Sequence, residues 1–112
     1  AFDCMPDESY NPAKELPFKG NMSIEKAEEL IKKHGAENIG AIILTVTNNS
    51  AGGQPVSMEN ARALRALCDK YGLLMVIDGC RIAENSYFVK HRENGYENKT
   101  YKEIAQEMLN LG

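Results

Sequence analysis

The chain has 112 residues, a net charge of −3 at pH 7, and 43% hydrophobic against 26% charged residues. That length sets one domain at most, with apolar content enough for one core and too high for global disorder. The acidic balance leaves no basic footprint for nucleic acid, and apolar runs of no more than five residues fall far short of a membrane-spanning helix.

No basic stretch followed by an apolar one opens the chain, so no signal peptide is visible, and the absence of an initial Met suggests a processed, trimmed or partial chain. Cys4, Cys68 and Cys80 are odd in number and form no C-x-x-C, which suits a reducing cytoplasmic setting better than a disulfide scaffold. His34 and His91 lack metal-ligand spacing and read as helix-surface residues, so no metal site is expected.

Residues 1–20 contain Pro6, Pro12 and Pro17 and read as mostly irregular. Residues 21–112 read as an α/β segment. Ser23 is a candidate N-cap, Ile24, Ala27, Leu30 and Ile31 follow at helical spacing, and Gly35 fits a stop. A strand is expected over 41–47. After a polar, glycine-bearing loop, Pro55 and Ser57 prepare a helix with Met58, Ala61, Leu64, Leu67, Cys68 and Tyr71 on its apolar face. Gly72 ends it, and Leu73–Ile77 reads as the next strand. Both strands are near-continuous apolar runs, the pattern of a parallel sheet covered on both faces. A helix is expected over Ile82–Arg92, with an unclear start. Thr100 and Glu103 form a capping box for the last helix, whose apolar side is Ile104, Ala105, Met108 and Leu109. The result is a βαβ unit with four helices and two strands. Such a sheet is too small to stand alone, so the chain reads as a piece of a larger α/β domain or half of an assembly.

In open α/β sheets, ligands sit beyond the carboxyl ends of the strands. The first strand runs into Thr47-Asn-Asn49-Ser-Ala-Gly-Gly53-Gln54, and the second into Asp78-Gly-Cys-Arg81. Gly52 and Gly53 match no phosphate-binding pattern and read as turn residues with positive φ. Asn49 could offer its amide to a ligand or make a local Asx-turn. Asp78 is costly after five apolar residues unless it finds a partner or solvent. It could bind a cationic ring nitrogen, a metal or a ribose, or cap the next helix. Arg81 could pair with Asp78 or bind an anionic oxygen of the same ligand. Lys90-His-Arg92 reads as a solvated helix face. The segments around Asn49 and Asp78 are superficially similar to haloacid-dehalogenase-type phosphatase motifs. Cys80 stands where the second aspartate belongs, and the motif order is reversed, which excludes that chemistry.

Several segments together resemble the β-eliminating lyases, the pyridoxal-phosphate family of tryptophanase and tyrosine phenol-lyase. They are Phe18-Lys-Gly-Asn21, the loop Asn49-Ser-Ala-Gly-Gly-Gln-Pro-Val-Ser57, the run Arg81-Ile-Ala-Glu-Asn-Ser-Tyr-Phe-Val-Lys90, and the tail through Met108. The resemblance covers nearly the whole chain from Phe18 onward. Asn49-Ser-Ala51, Ala83-Glu-Asn85 and Arg92-Glu93 are more like tryptophanase. Gly95-Tyr-Glu-Asn-Lys99 is more like tyrosine phenol-lyase. The balance leans to tryptophanase.

The resemblance implies that the chain is an internal fragment of the large cofactor-binding domain, of aminotransferase-like fold type I, with an incomplete sheet. It implies a cytoplasmic homotetrameric parent that converts L-tryptophan to indole, pyruvate and ammonia. Asp78 matches the aspartate on the cofactor's pyridine nitrogen. There a carboxylate keeps the nitrogen protonated, so that the ring accepts carbanion electrons. Arg81 and Asn49 match residues at the ring's phenolic oxygen. Gly79 replaces the family's usual Ala or Ser. The family's Schiff-base lysine lies in a Ser-x-Lys-Lys run that has no counterpart here; Lys90, Lys99 and Lys102 read as surface lysines. The Gln-Gly-Arg-Gly phosphate loop, the ligands of the monovalent cation (such as potassium) and the substrate-carboxylate arginine are likewise outside the sequence, so the chain alone is expected to be inactive. The rival expectations are a tyrosine phenol-lyase fragment and a non-catalytic α/β interaction module derived from the family. In either case unpaired sheet edges would favour self-association.

Overall fold

A computed structural model of the chain describes residues 3–7, 13, 16–48 and 52–112. Helix α1, Ile24–His34, starts at Ser23, whose hydroxyl accepts the Lys26 N–H at 3.2 Å, and stops at Gly35 with φ 81°. A 3-10 turn, Ala36–Asn38, leads into strand β1, Ala41–Thr45. Helix α2, Met58–Tyr71, is capped by the Ser57 hydroxyl, which accepts the Asn60 N–H at 3.1 Å, and ends on Gly72 in the left-handed region. Strand β2, Leu74–Asp78, helix α3, Ile82–Arg92, and helix α4, Tyr101–Leu109, complete the order.

The capping box that opens α4 is formed in both directions: Thr100 Oγ1 accepts the Glu103 N–H, and the Glu103 carboxylate accepts the Thr100 N–H, each at 3.1 Å. Helix α3 starts differently. Its N-cap is Arg81, which makes no side-chain capping bond, so no capping signal marks this start in the sequence.

The strand limits differ from expectation by a residue or two. Leu73 does not join the ladder, because its N–H closes the end of α2 on the Cys68 carbonyl at 2.8 Å. The first strand ends at Thr45 rather than Thr47. Val46 still bonds across to the end of β2, whereas Thr47 already belongs to the loop.

Strands β1 and β2 pair in parallel, with Ala41 opposite Leu74 and Thr45 opposite Asp78, and they form the only ladder among the described residues. Side chains alternate across a strand, so Ile42, Leu44 and Met75 turn inward. There they join Ala27 and Ile31 of α1, Met58, Ala61, Leu64, Leu67 and Cys68 of α2, Val89 of α3, and Ile104 and Met108 of α4 in one core. Each large side chain buried in this way, such as Leu64, contributes about 1.5–3 kcal/mol. Tyr71, the last residue of the expected α2 stripe, is only partly buried.

Among the described residues the opposite sheet face has no covering layer, so the two-sided cover expected from the strand pattern is not supplied by this segment. Ile43 is 58% exposed, Leu74 63% and Val76 38%. The helices of this chain supply cover for one face alone, so these residues have apolar chemistry without an apolar neighbour layer.

Candidate functional site

The register places Thr45 beside Asp78, so both strands end at one level. Val46 then locks the two exits together: its N–H donates to the Asp78 carbonyl and its carbonyl accepts the Arg81 N–H, both at 3.0 Å. The loop that follows β1 and the turn that follows β2 therefore leave the sheet side by side.

Asp78 resolves its burial problem by reaching solvent; its carboxylate is exposed and accepts one bond, from the Cys80 N–H at 3.3 Å. It does not cap α3, whose first N–H, that of Ile82, donates instead to the Gly79 carbonyl at 3.1 Å. Arg81 is exposed, and its guanidinium makes no ion pair or hydrogen bond among the described residues, so the alternative in which it merely pairs with Asp78 is not realised. One carboxylate and one guanidinium unpaired among the described residues thus stand three residues apart, at and just after the carboxyl end of β2, beside the exit of β1. This donor set suits a ligand with a protonated nitrogen and an anionic oxygen.

Asn49, the third site residue expected from the sequence, lies outside the described residues. The loop base on either side of it is well defined. The Asn48 N–H donates to the Gln54 carbonyl at 2.8 Å, and the Gly53 N–H returns to the Asn48 carbonyl at 2.8 Å. Gly52 and Gly53 both have φ +80°, as expected of turn glycines. Gly53 has a second role. A Cβ there would lie 3.2 Å from Arg81 Nη1, so the missing side chain leaves the space that the guanidinium uses.

The returning arm of the loop is held by further contacts. The Gly20 N–H donates to the Pro55 carbonyl at 2.9 Å, and a Cβ on Gly20 would fall 2.3 Å from the Gln54 oxygen. Asn21 Oδ1 accepts the Ser57 N–H at 2.8 Å. Glu93, at the end of α3, accepts the N–H groups of Met58 and Glu59 at 2.7 and 3.0 Å, which puts a carboxylate on the positive end of α2. Asn85 of α3, fully buried, binds the main chain of Val56 in both directions. The available signal for Asn85 was its helical spacing, because Ile82, Ser86 and Val89 place it on the inward face. Thr47 is also fully buried, and its hydroxyl has no hydrogen-bond partner among the described residues.

The lysines differ in part from the surface reading. Lys90 is half-buried and donates to the Glu97 and Lys99 carbonyls at 3.0 and 2.6 Å, pinning the turn between α3 and α4. Lys99 reaches the Glu107 carboxylate at 2.9 Å. His91 is exposed and meets the Tyr101 hydroxyl at 3.0 Å. None of the three cysteines forms a disulfide among the described residues.

The described residues form a small α/β unit with a two-stranded parallel sheet, four α-helices and charged side chains at the end of β2. Comparison with known proteins is more specific. Residues 3–112 match the family described as beta-eliminating lyase. A tryptophanase of Salinibacter ruber is 47% identical over 109 residues, 97% of this chain and 23% of that protein. A tyrosine phenol-lyase of Intrasporangium calvum is 48% identical over 107 residues, 96% of this chain and 23% of its own length. A Trichomonas vaginalis protein described as a probable beta-eliminating lyase is 51% identical over 109 residues, again 97% of this chain and 24% of its own length. The chain belongs to the β-eliminating lyase family, and it spans about a quarter of the length of these relatives.

Proposed function

We propose that the whole protein is a pyridoxal-phosphate-dependent carbon–carbon lyase that splits L-tryptophan into indole, pyruvate and ammonia, and that residues 21–112 are part of its large, fold type I cofactor-binding domain. The observation that carries this reading is the pair Asp78 and Arg81, exposed and unpaired with each other at the carboxyl end of β2 in a chain of this family.

The residues present fit the group. When bound, pyridoxal phosphate supplies an electron sink for substrate carbanions. The Asp78 carboxylate would accept a hydrogen bond from the pyridinium N–H and so hold a proton at that nitrogen. The Arg81 guanidinium would face the phenolic oxygen and favour its anionic form, and Asn49 would donate an amide hydrogen to the same oxygen. Gly53 leaves room for the guanidinium, and the Val46 main chain keeps both strand ends at one level.

Tyrosine phenol-lyase is the second reading. Its support is that relatives of that name match as well as tryptophanases do, at 48% against 47% identity. Family resemblance further supports a cytoplasmic homotetramer that uses a monovalent cation such as potassium, held by residues outside this segment. It also supports catalytic silence of the 112-residue chain alone, because the Schiff-base lysine run is not among its residues.

The test is to express the protein from its complete reading frame, supply pyridoxal phosphate and a potassium salt, and measure release of indole from L-tryptophan and phenol from L-tyrosine. Indole release in excess supports the first reading. Phenol in excess selects the second. Release of neither product, with no cofactor bound, contradicts both and favours a non-catalytic module.

A further inference from the structure

The loop between β1 and α2 has two arms, and both are tied to the first turns of α3. The outgoing arm is tied through the main chain, where the Val46 carbonyl accepts the Arg81 N–H at 3.0 Å. The returning arm is tied through side chains at both ends of α3: Glu93 at the far end accepts the Met58 and Glu59 N–H groups at 2.7 and 3.0 Å, and Asn85 near the start holds Val56. Asn85 Oδ1 accepts the Val56 N–H at 2.8 Å, and Asn85 Nδ2 donates to the Val56 carbonyl at 2.9 Å. This is the paired exchange that a neighbouring strand would make, supplied here by a helix. Asn85 and Val56 are both fully buried, so no water competes for these bonds, and loss of either partner would strand a buried polar group. Asn85 also lies one helical turn beyond Arg81, its own N–H donating to the Arg81 carbonyl at 3.0 Å.

We propose that Asn85 is a positioning residue for the cofactor site: its amide helps to set the distance between the Gly53–Val56 arm and the helix start that carries Arg81. The other anchors do different work. The Asn48–Gln54 bridge closes the loop upon itself, and the Gly20–Pro55 bond ties it to the N-terminal segment. Neither fixes the returning arm to α3. Asn85 fixes the arm at Val56, three residues after Gly53, whose missing side chain leaves space for the Arg81 guanidinium. The cofactor side of this inference rests on the proposed function, whereas the clamp itself does not.

The experiment uses the protein expressed from its complete reading frame and compares Asn85→Ala and Asn85→Asp with Val89→Ala. Val89 is fully buried one turn further along the same helix face and makes no side-chain hydrogen bond. Its truncation lowers stability and removes no hydrogen bond to the loop. Asn85→Asp keeps the acceptor for the Val56 N–H but turns a carboxylate oxygen on the Val56 carbonyl. Without cofactor, amide exchange at Asn48, Gly53 and Gln54 should quicken on the order of 10-fold or more in both Asn85 variants and stay unchanged in Val89→Ala. With pyridoxal phosphate, the pH midpoint of the bound cofactor's absorption change should shift in the Asn85 variants alone, and affinity should fall on the order of 10-fold. Equal responses in Val89→Ala, or no loop response in either Asn85 variant, would overturn the proposal. If the unmodified protein binds no pyridoxal phosphate, the proposed function fails and the exchange measurement still decides the clamp.

Discussion

The carbonyl of Val46 accepts the main-chain N–H of Arg81 at 3.0 Å, so the residue that leaves β1 is bonded directly to the residue that opens α3. Through this bond, and the reciprocal one from the Val46 N–H to the Asp78 carbonyl, two strand ends become one rigid shelf. The oppositely charged side chains of Asp78 and Arg81 then stand beside it without pairing with each other.

Gly53 should be more sensitive than its neighbour. Gly52 and Gly53 share φ +80°, so an alanine at either position carries a left-handed backbone cost of about 1–2 kcal/mol. A Cβ at Gly52 meets nothing within 4 Å among the described residues, whereas at Gly53 it meets Arg81 Nη1 at 3.2 Å. Gly52→Ala and Gly53→Ala should therefore lose similar stability in urea titrations. Only Gly53→Ala should also weaken pyridoxal phosphate binding to the full-length protein, read by titration of its absorption band.

Acid stability should depend on Glu107. Burial pushes its carboxyl up, but hydrogen bonds from Tyr96, Lys99 and Arg62 outweigh that and hold it below the ordinary value of 4.5. A folded pKa below the unfolded one means that the ionised group adds stability above about pH 4.5, and that this contribution is lost as pH falls through the folded value. Urea midpoints measured from pH 7 down to 3 should drop in this window. Glu107→Gln should start from a lower midpoint at pH 7 and show a smaller drop. An equal drop in the variant would assign acid lability to other groups.

The open sheet face should make the 112-residue chain self-associate. Ile43, Leu74 and Val76 form an exposed apolar patch on strands whose outer edges are unpaired among the described residues. Sedimentation should show concentration-dependent oligomers, and Leu74→Lys should shift them toward monomer. A sharp monomer at high concentration would count against this.

Element ends were legible in the sequence because they are local. Ser23, Ser57 and Thr100 each cap the helix that follows, and Gly35 and Gly72 each end one. Asp78 and Arg81 were legible as strand-end polar groups for the same reason. The open sheet face was not legible, because apolar residues at Ile43, Leu74 and Val76 look identical whether or not a layer covers them. The clamp by Asn85 was equally hidden: its partner Val56 is far away in sequence, and a buried asparagine reads like a surface one until its helix is placed. Gly20 is similar, since its need for a bare Cα comes from Gln54 and Pro55 across the fold.

The central claim is that Asp78 acts on the cofactor ring nitrogen, and Asp78→Asn in the full-length protein tests it most directly. The substitution keeps the shape and removes the charge that holds the nitrogen's proton. Turnover of L-tryptophan, or of L-tyrosine if that is the substrate, should fall on the order of 100-fold or more while the protein stays folded and still takes up pyridoxal phosphate. Turnover within a few-fold of the unmodified protein would contradict the account.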